Sequence, residues 1–456
     1  MRKFLAAVGI GLVAAASAGL LRLVPFVETV ELKTYDWRMR LAADPRSARK
    51  DIVLVAIDEP SIRSLEPAVG RWPWPRLVHA GLLDFLARAP ATVVVYDVLF
   101  TERDLHSFSI GGEPWTGEES DRALVEATAR AGNVVHAASA VGEGSAGSAT
   151  GDAARDRGGP PAGSDPPHPV PVQTPYRGLA GIEPRPVLQP PFPELANASR
   201  AIGHNFVVLD PDGPIRRSVP FVSHAGQFVP SLPVAAAAIV ENLQPASVRT
   251  EPGALRLGSR SMPIVRMKLP SFYGEELEGS RAFIRFPGGV LTGGQPTYAD
   301  YSFYDLFYSE QQLLAGEKPN VDPAIFRDKV VFVGTTAAAL SDVFTVPLPG
   351  KMPGMQVHAS VLDNLLSGRF IAPAPGWAWL LLLVTAALGA SLGIARFGVW
   401  RGLAAVTLVA AAVATAALAL FRDGTWLRVT EPLLATAMAA FGAVAYQYFV
   451  EDREKR

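Results

Sequence analysis

Four uncharged apolar stretches, at residues 4–21, 377–395, 403–420 and 432–450, constrain this chain more than any other feature. Each is 18 or 19 residues long, close to the roughly 20 that a helix needs to cross a hydrocarbon core of about 30 Å. A core helix of a water-soluble domain is usually shorter and keeps a polar face, so all four read as transmembrane helices. Composition agrees. Of the 456 residues, 49% are hydrophobic and 19% charged, against about 25% charged in ordinary soluble domains.

Arg2 and Lys3 precede the first stretch, and Ala16-Ser17-Ala18 resembles a signal-peptide cleavage site. The apolar run nevertheless continues through Leu20 and Leu21, broken only by Arg22, to Val27. That favours an uncleaved anchor over a cleaved signal peptide. With Arg2 and Lys3 inside, the segment after Val27 is outside, and four crossings return the C-terminus to the cytoplasm. Arg396 and Arg401 fall in the inner loop, and Arg453, Lys455 and Arg456 in the tail, while Arg422 and Arg428 occupy the outer loop. The short loops alone therefore tie. Trp377 and Trp379 suit an outer aromatic belt, and Tyr446 and Tyr448 an inner one. The expected organisation is an anchor at 1–27, an extracytoplasmic domain at 28–375, three transmembrane helices at 376–450 and a cytoplasmic stub at 451–456. The stub is too short to fold by itself, and its mixed charges suit the start of a cytoplasmic helix.

The large segment reads as alternating strands and helices. Residues 51–58, 91–97, 133–140 and 329–334 are apolar, β-branched runs of the kind buried on both faces. Helical spacing marks 75–89, 118–131 (stopped by Gly132) and 356–366 (stopped by Gly368). Further helices are expected at 233–242 and 303–314, a strand at 282–287, and a β-hairpin over 206–222 turning at Asp212-Gly213. The fold class that follows is an α/β extracytoplasmic domain with a mostly parallel sheet and helices on both faces, plus four transmembrane α-helices. Residues 141–172, rich in Gly, Ala, Ser, Asp and Pro, read as a flexible insertion.

A net charge of -1 gives no global reason to expect nucleic acid as a partner. The absence of cysteine excludes disulfides, thiolate catalysis and cysteine-ligated zinc. No GxSxG, Walker or HExxH pattern occurs, and the seven histidines have no zinc-helix spacing. No catalytic residue, metal ligand or cofactor is therefore named.

Polar residues do close three of the strands: Asp58, Asp97, and Thr335 with Thr336. Ligands of open parallel sheets bind outside the carboxyl ends of the strands, so these residues would share a rim if their strands are neighbours. Glu102 and Asp342 could join them. Gly70-Arg-Trp-Pro-Trp-Pro-Arg76 is a rigid apolar loop whose Arg71 and Arg76 could pair with that rim or hold an anion. The plainer alternatives are that each Asp caps a helix or turn, that the loop closes a sheet edge, and that His358 packs or caps.

Taken together, these motifs resemble the type-two CHASE family of extracellular sensory domains, over nearly the whole chain. The resemblance rests on Tyr35-Asp36-Trp37-Arg38, Ile57-Asp58, the loop from Gly70, and Tyr96-Asp97-Val98-Leu99-Phe100 with Glu102. It extends through Gly203-His204-Asn205, Asp210 to Gly213 with Arg216, Val333 to Ala337, Asp342, and 354–365 with His358. It implies a receptor in a bacterial inner membrane, with a small unidentified extracytoplasmic ligand and a homodimeric assembly. The implied output, a nucleotide cyclase or protein kinase in the cytoplasm, has no residues here and would lie downstream or in a partner. Two other readings stay open: a membrane-anchored extracytoplasmic enzyme, such as a metal-assisted hydrolase using the acidic rim, and a scaffold for an envelope complex.

Overall fold

A computed structural model describes residues 2–105, 107–110, 112–141, 174–270, 276–292, 294–337 and 343–451. The insertion expected at 141–172 (beyond Val141), Asp342, and the stub beyond Glu451 lie outside the described residues. The chain forms two units, one of residues 44–370 and one of 1–43 with 371–456.

The β-branched runs of the larger unit become the strands β1 (Ile52–Ile57), β2 (Val93–Asp97) and β3 (Val134–Val141). They are joined by β4 (Val187–Gln189), β5 (Ala201–His204), β6 (Ala299–Ser302) and β7 (Val330–Thr335). The order β6-β1-β7-β2-β3-β5 is parallel throughout, and β4 pairs antiparallel with the end of β3. The expected, mostly parallel sheet is therefore present, with β7 inserted between β1 and β2.

Alternate residues of these strands face opposite layers. Val53, Val55, Val94, Tyr96, Val331 and Val333 join one core with the helices α3 (Glu59–Val69), α4 (Arg76–Ala87), α5 (Gly117–Ala131) and α8 (Phe303–Leu314). A short α6 (Pro193–Ala198) closes this layer. The opposite face is covered by α7 (Leu232–Val240) and α9 (Gly354–Ser367). α7 is apolar throughout, and in α9 every residue from Gly354 to Leu366 is buried, including the polar Gln356, His358, Ser360, Asp363 and Asn364. The helix ends follow their sequence signals. Thr116 and Glu119 form a reciprocal cap on α5, and Gly132 and Gly368 take left-handed conformations after α5 and α9.

The hairpin expected at 206–222 is corrected. The turn there is real, closed by Gly213 N–H to Asp210 C=O at 2.8 Å and Asp210 N–H to Pro214 C=O at 3.0 Å, but its flanks form no strand ladder with each other. Arg217–Ser218 pairs instead with residues 282–283, and the hairpin is Phe221–His224 with Gln227–Pro230. Its two-residue loop, Ala225-Gly226, has positive φ at both positions (47° and 78°), as a primed hairpin turn requires. Beside it the arginines are buried in ion pairs. Arg216 Nη1 donates to Asp210 (2.9 Å) and Asp212 (2.6 Å), Arg217 pairs with Asp210, and Glu183 with both Arg185 and Arg281.

The smaller unit holds α1 (Arg2–Leu21), α2 (Pro25–Ala42), α10 (Gly376–Phe397), α11 (Val399–Arg422) and α12 (Thr430–Tyr446). Three of these, α1, α10 and α11, are long and apolar enough to cross a membrane. The fourth expected segment is divided. α12 has 17 residues, starts with Glu431 in its first turn, and continues as a π-helical turn over Gln447–Glu451. Small side chains let α1, α10 and α12 approach closely: Ala14, Ala15 and Ala18 meet Ala387, Ala390, Ala435 and Ala439 in one core. α2 belongs to this unit rather than to the domain expected from residue 28. Its Tyr35 ring lies edge-on to Phe421 and Trp426 (5.0 and 5.5 Å), and Arg38 donates to the Leu427 carbonyl at 2.7 Å.

Candidate functional site

β2 and β7 are neighbours whose chains leave on opposite faces of the sheet, β2 toward α5 and β7 toward α9. A crevice opens beyond the carboxyl ends of such strands. Here it is a cleft of about 600 Å³. Asp97 ends β2 directly opposite Gly334 of β7. Gly334 has no room for a side chain: a Cβ there would stand 2.9 Å from Met355 Cβ. This close approach sets the N-terminus of α9 against the strand ends, so that Gly354, Met355 and His358 line the cleft beside Thr335.

Asn205, just after β5, completes that wall. Its N–H donates to the Ala138 carbonyl at 3.1 Å, and its amide reaches Asp97 Oδ1 at 3.5 Å. The facing wall is the loop before α4. Trp72 and Trp74 meet edge to face at 4.9 Å, and Trp74 packs on Phe303 at 5.1 Å. The loop packs into the core through Trp74 and lines the cleft through Trp72, Pro73, Trp74 and Arg76. Arg76 opens α4 at its first residue. Its Nη2 donates to the Glu102 carbonyl (3.3 Å), and its guanidinium lies 5.7 Å over the Phe100 ring.

Four buried histidines flank β2 in two pairs. On the α4–α5 face, His79 sits 5.1 Å from Phe100, and His136 stacks on Tyr96 at 5.4 Å. Burial pushes both imidazoles down to about 3, with Arg76 adding to the effect at His79. On the α7–α9 face, burial also lowers His204 and His358, and the Asp97 carboxylate partly offsets this at His358. All four are neutral near pH 7. His79 and His358 line the cleft; they come from separate helices, and no spacing could have joined them.

Of the eight residues singled out from sequence, the cleft brings together Arg76, Asp97 and Thr335. Asp58 lies elsewhere on the rim as the N-cap of α3. It accepts the Ser61 N–H (2.8 Å), the Ser61 hydroxyl (2.5 Å) and the Ser302 hydroxyl (3.0 Å), the capping role. Its neighbours are acids: burial, then the Asp58 charge, raises Asp300 to about 6, and the same two causes raise Asp305. Thr336 donates its N–H to the Ile57 carbonyl (3.0 Å). Arg71 is exposed and pairs with Glu66 at 3.1 Å, and Glu102 is exposed. Among the described residues, no group of three or more His, Asp or Glu side chains is placed to hold a metal ion. A larger groove of about 790 Å³ lies near α6, α7 and the start of β5. Arg200 is its one charged lining residue, and none of the carboxyl ends of β1 to β7 reaches it.

The far end of α9 carries a second junction. Asp363, 1% exposed, accepts the Arg49 N–H at 2.8 Å and the Tyr298 hydroxyl at 3.3 Å through Oδ2, and Arg369 Nη2 at 3.1 Å through Oδ1. Arg369 also donates to the Ser47 carbonyl at 2.5 Å. The two places where the chain enters and leaves the larger unit are thereby tied to one carboxylate.

Among known families, the CHASE2 domain model matches residues 10–393. No curated protein and no solved structure matches the chain.

Proposed function

The chain belongs to the CHASE2 domain family, a family of extracellular sensory rather than catalytic domains, and from that premise we propose that it is a membrane-bound receptor that binds a small ligand in the cleft between β2, β7 and α9. The observation that carries the proposal is the placement of α9. One end of this buried helix contributes Gly354, Met355 and His358 to the cleft. The other contributes Asp363 to the junction of residues 47–49 and 369. Asp363 lies nine positions after Gly354, a rise of roughly 14 Å at 1.5 Å per residue. A ligand that binds two positions of α9 unequally shifts the balance between them, and Asp363 hands the difference to the segments that continue into α2 and α10.

The membrane layout of the proposal has residues 44–370 outside and the C-terminus in the cytoplasm of a bacterial cell, with α12 and its π-helical extension as a fourth crossing. The signal passes to a cytoplasmic output, a nucleotide cyclase or protein kinase. Homodimerisation would let paired helices relay the change.

A thermal-shift screen of the full-length protein in detergent, against small molecules and ions, tests the reading. Asp97→Ala and His358→Ala should each abolish the shift that a hit produces. Hydrogen exchange with the hit bound should show protection both at 354–358 and at 44–49. Shifts that survive both variants, or protection that stops at the cleft, would sink it.

A further inference from the structure

Two helices begin at the cleft, neither capped by its own N-cap residue, though on α4 the Ser120 hydroxyl accepts the Leu77 N–H at 3.0 Å. α4 starts at Arg76 behind Pro75, and α9 at Gly354 behind Pro353. The first N–H groups of a helix lack intrahelical partners and together carry about half a positive charge. A second, independent observation points the same way. Trp74 and His79 are each 1% exposed, yet neither Trp74 Nε1 nor His79 Nδ1 has a hydrogen-bond partner among the described residues, and Arg76 Nε is a third such atom. Asp121 Oδ1 stands 3.7 Å from Arg76 Nε, too far to accept from it. Indole and guanidinium N–H groups only donate, and a buried donor left unpaired is costly. Trp74 Nε1 is thus a donor with no acceptor, whereas Arg76 Nε faces Asp121 Oδ1, a buried acceptor that likewise has no hydrogen-bond partner among the described residues. The facing wall supplies an acceptor, the Asp97 carboxylate beside the Asn205 amide.

We infer that the cleft binds a small carboxylic acid anion that also carries an amino or hydroxyl group. Its carboxylate accepts from Trp74 Nε1 and Arg76 Nε beside the start of α9, and its amino or hydroxyl group donates to Asp97. The inference rests on reading the cleft as the ligand site. Arg76 and Asp97 together match a molecule with a negative end and a donor end, and a cleft of about 600 Å³ has room for it.

The test is thermal unfolding of the full-length protein in detergent, near pH 7, with about 10 mM glycine, L-serine, L-lactate, acetate, ethanolamine or glucose. Glycine or L-serine, or else L-lactate, should raise the midpoint by about 2 °C or more; which arm responds separates amino from hydroxy acids. Acetate and ethanolamine, each with half the required groups, should give less than half that rise. Trp74→Phe, which keeps an aromatic ring and loses the N–H, and Arg76→Gln should abolish it; if Trp74→Phe does not fold, Arg76→Gln decides alone. A carboxylate-dependent rise that survives Arg76→Gln, or no rise with any acid, overturns the inference. A rise with glucose or ethanolamine alone that Asp97→Ala removes would leave the cleft as the ligand site and reject only the carboxylate. A rise that survives both Arg76→Gln and Asp97→Ala would reject the cleft as well.

Discussion

Glu31 caps α12 from another helix: its Oε2 accepts the Thr430 N–H at 3.0 Å and the Thr430 hydroxyl at 2.8 Å. The same carboxylate takes the Val429 N–H (3.1 Å), and its Oε1 takes Trp426 Nε1 (3.0 Å) and Arg38 Nη2 (2.8 Å). A buried anion at a helix N-terminus is well placed, and with these five donors it is saturated. Glu31→Ala should leave Arg38 buried without its partner and lower stability by roughly 3–5 kcal/mol. Adding Arg38→Met should recover part of the loss. Thermal midpoints in detergent check both; a double variant no better than Glu31→Ala refutes the pairing argument.

Gly334→Ala should push α9 away from β7, because the new methyl would meet Met355 Cβ at 2.9 Å. Overpacking of this kind costs about 1–3 kcal/mol. Hydrogen exchange should rise at the start of α9, and an Ala variant with unchanged exchange there would show that the contact is soft.

Asp363→Asn keeps the shape of the side chain but removes the charge that faces Arg369. The expected outcome is a split: ligand-induced thermal shifts persist, while ligand-induced protection at residues 44–49 disappears. If both are retained, Asp363 does not couple the cleft to the chain's crossing points.

Acid should destabilise the larger unit. His79 and His136 have folded-state values of about 3 against an ordinary 6.5, so below pH 6.5 the unfolded chain binds more protons than the folded one. Stability conferred by their neutral forms is full above 6.5 and is lost as pH falls toward 3, at about 1.4 kcal/mol per pH unit for each. Asp300 works in the opposite sense: raised from 3.8 to about 6, it is relieved as pH falls through that window and offsets one histidine. Burial lowers His204 and His358 as well, whereas Asp121, Asp210 and Asp305 are raised. His136→Gln should therefore show a smaller drop in melting midpoint between pH 7 and pH 5 than the parent. An equal or larger drop contradicts this.

A cysteine introduced after Val450 should resist membrane-impermeant reagents in intact cells, and one in the exposed Glu317 turn should react. The reverse pattern would invert the membrane layout.

Sequence reasoning reached what is local. The β-branched runs located β1, β2, β3 and β7, and Gly132 and Gly368 marked the ends of α5 and α9. It missed α3, where Pro60 and Pro67 interrupt a mostly polar segment, and β6, a polar edge strand of Ala-Asp-Tyr-Ser that shows no apolar run. The hairpin was shifted because Asp212-Gly213 advertises a turn more loudly than Ala225-Gly226. Strand order is non-local, and the insertion of β7 between β1 and β2 decides which polar ends meet. Hence Asp97 and Thr335 share the cleft while Asp58 caps a helix. Asn205, His79 and His358 join the cleft from three further elements, with only tertiary folding to bring them together.

The burial of α9 has a consequence for the shape of a response. A helix with no face in water cannot tilt or roll by small degrees without displacing close-packed neighbours on every side. Packed interfaces of this kind tend to hold discrete arrangements rather than a continuum. Each molecule would then stand in one position or the other, and a gradual dose–response curve would count how many molecules had changed place rather than how far any one had moved.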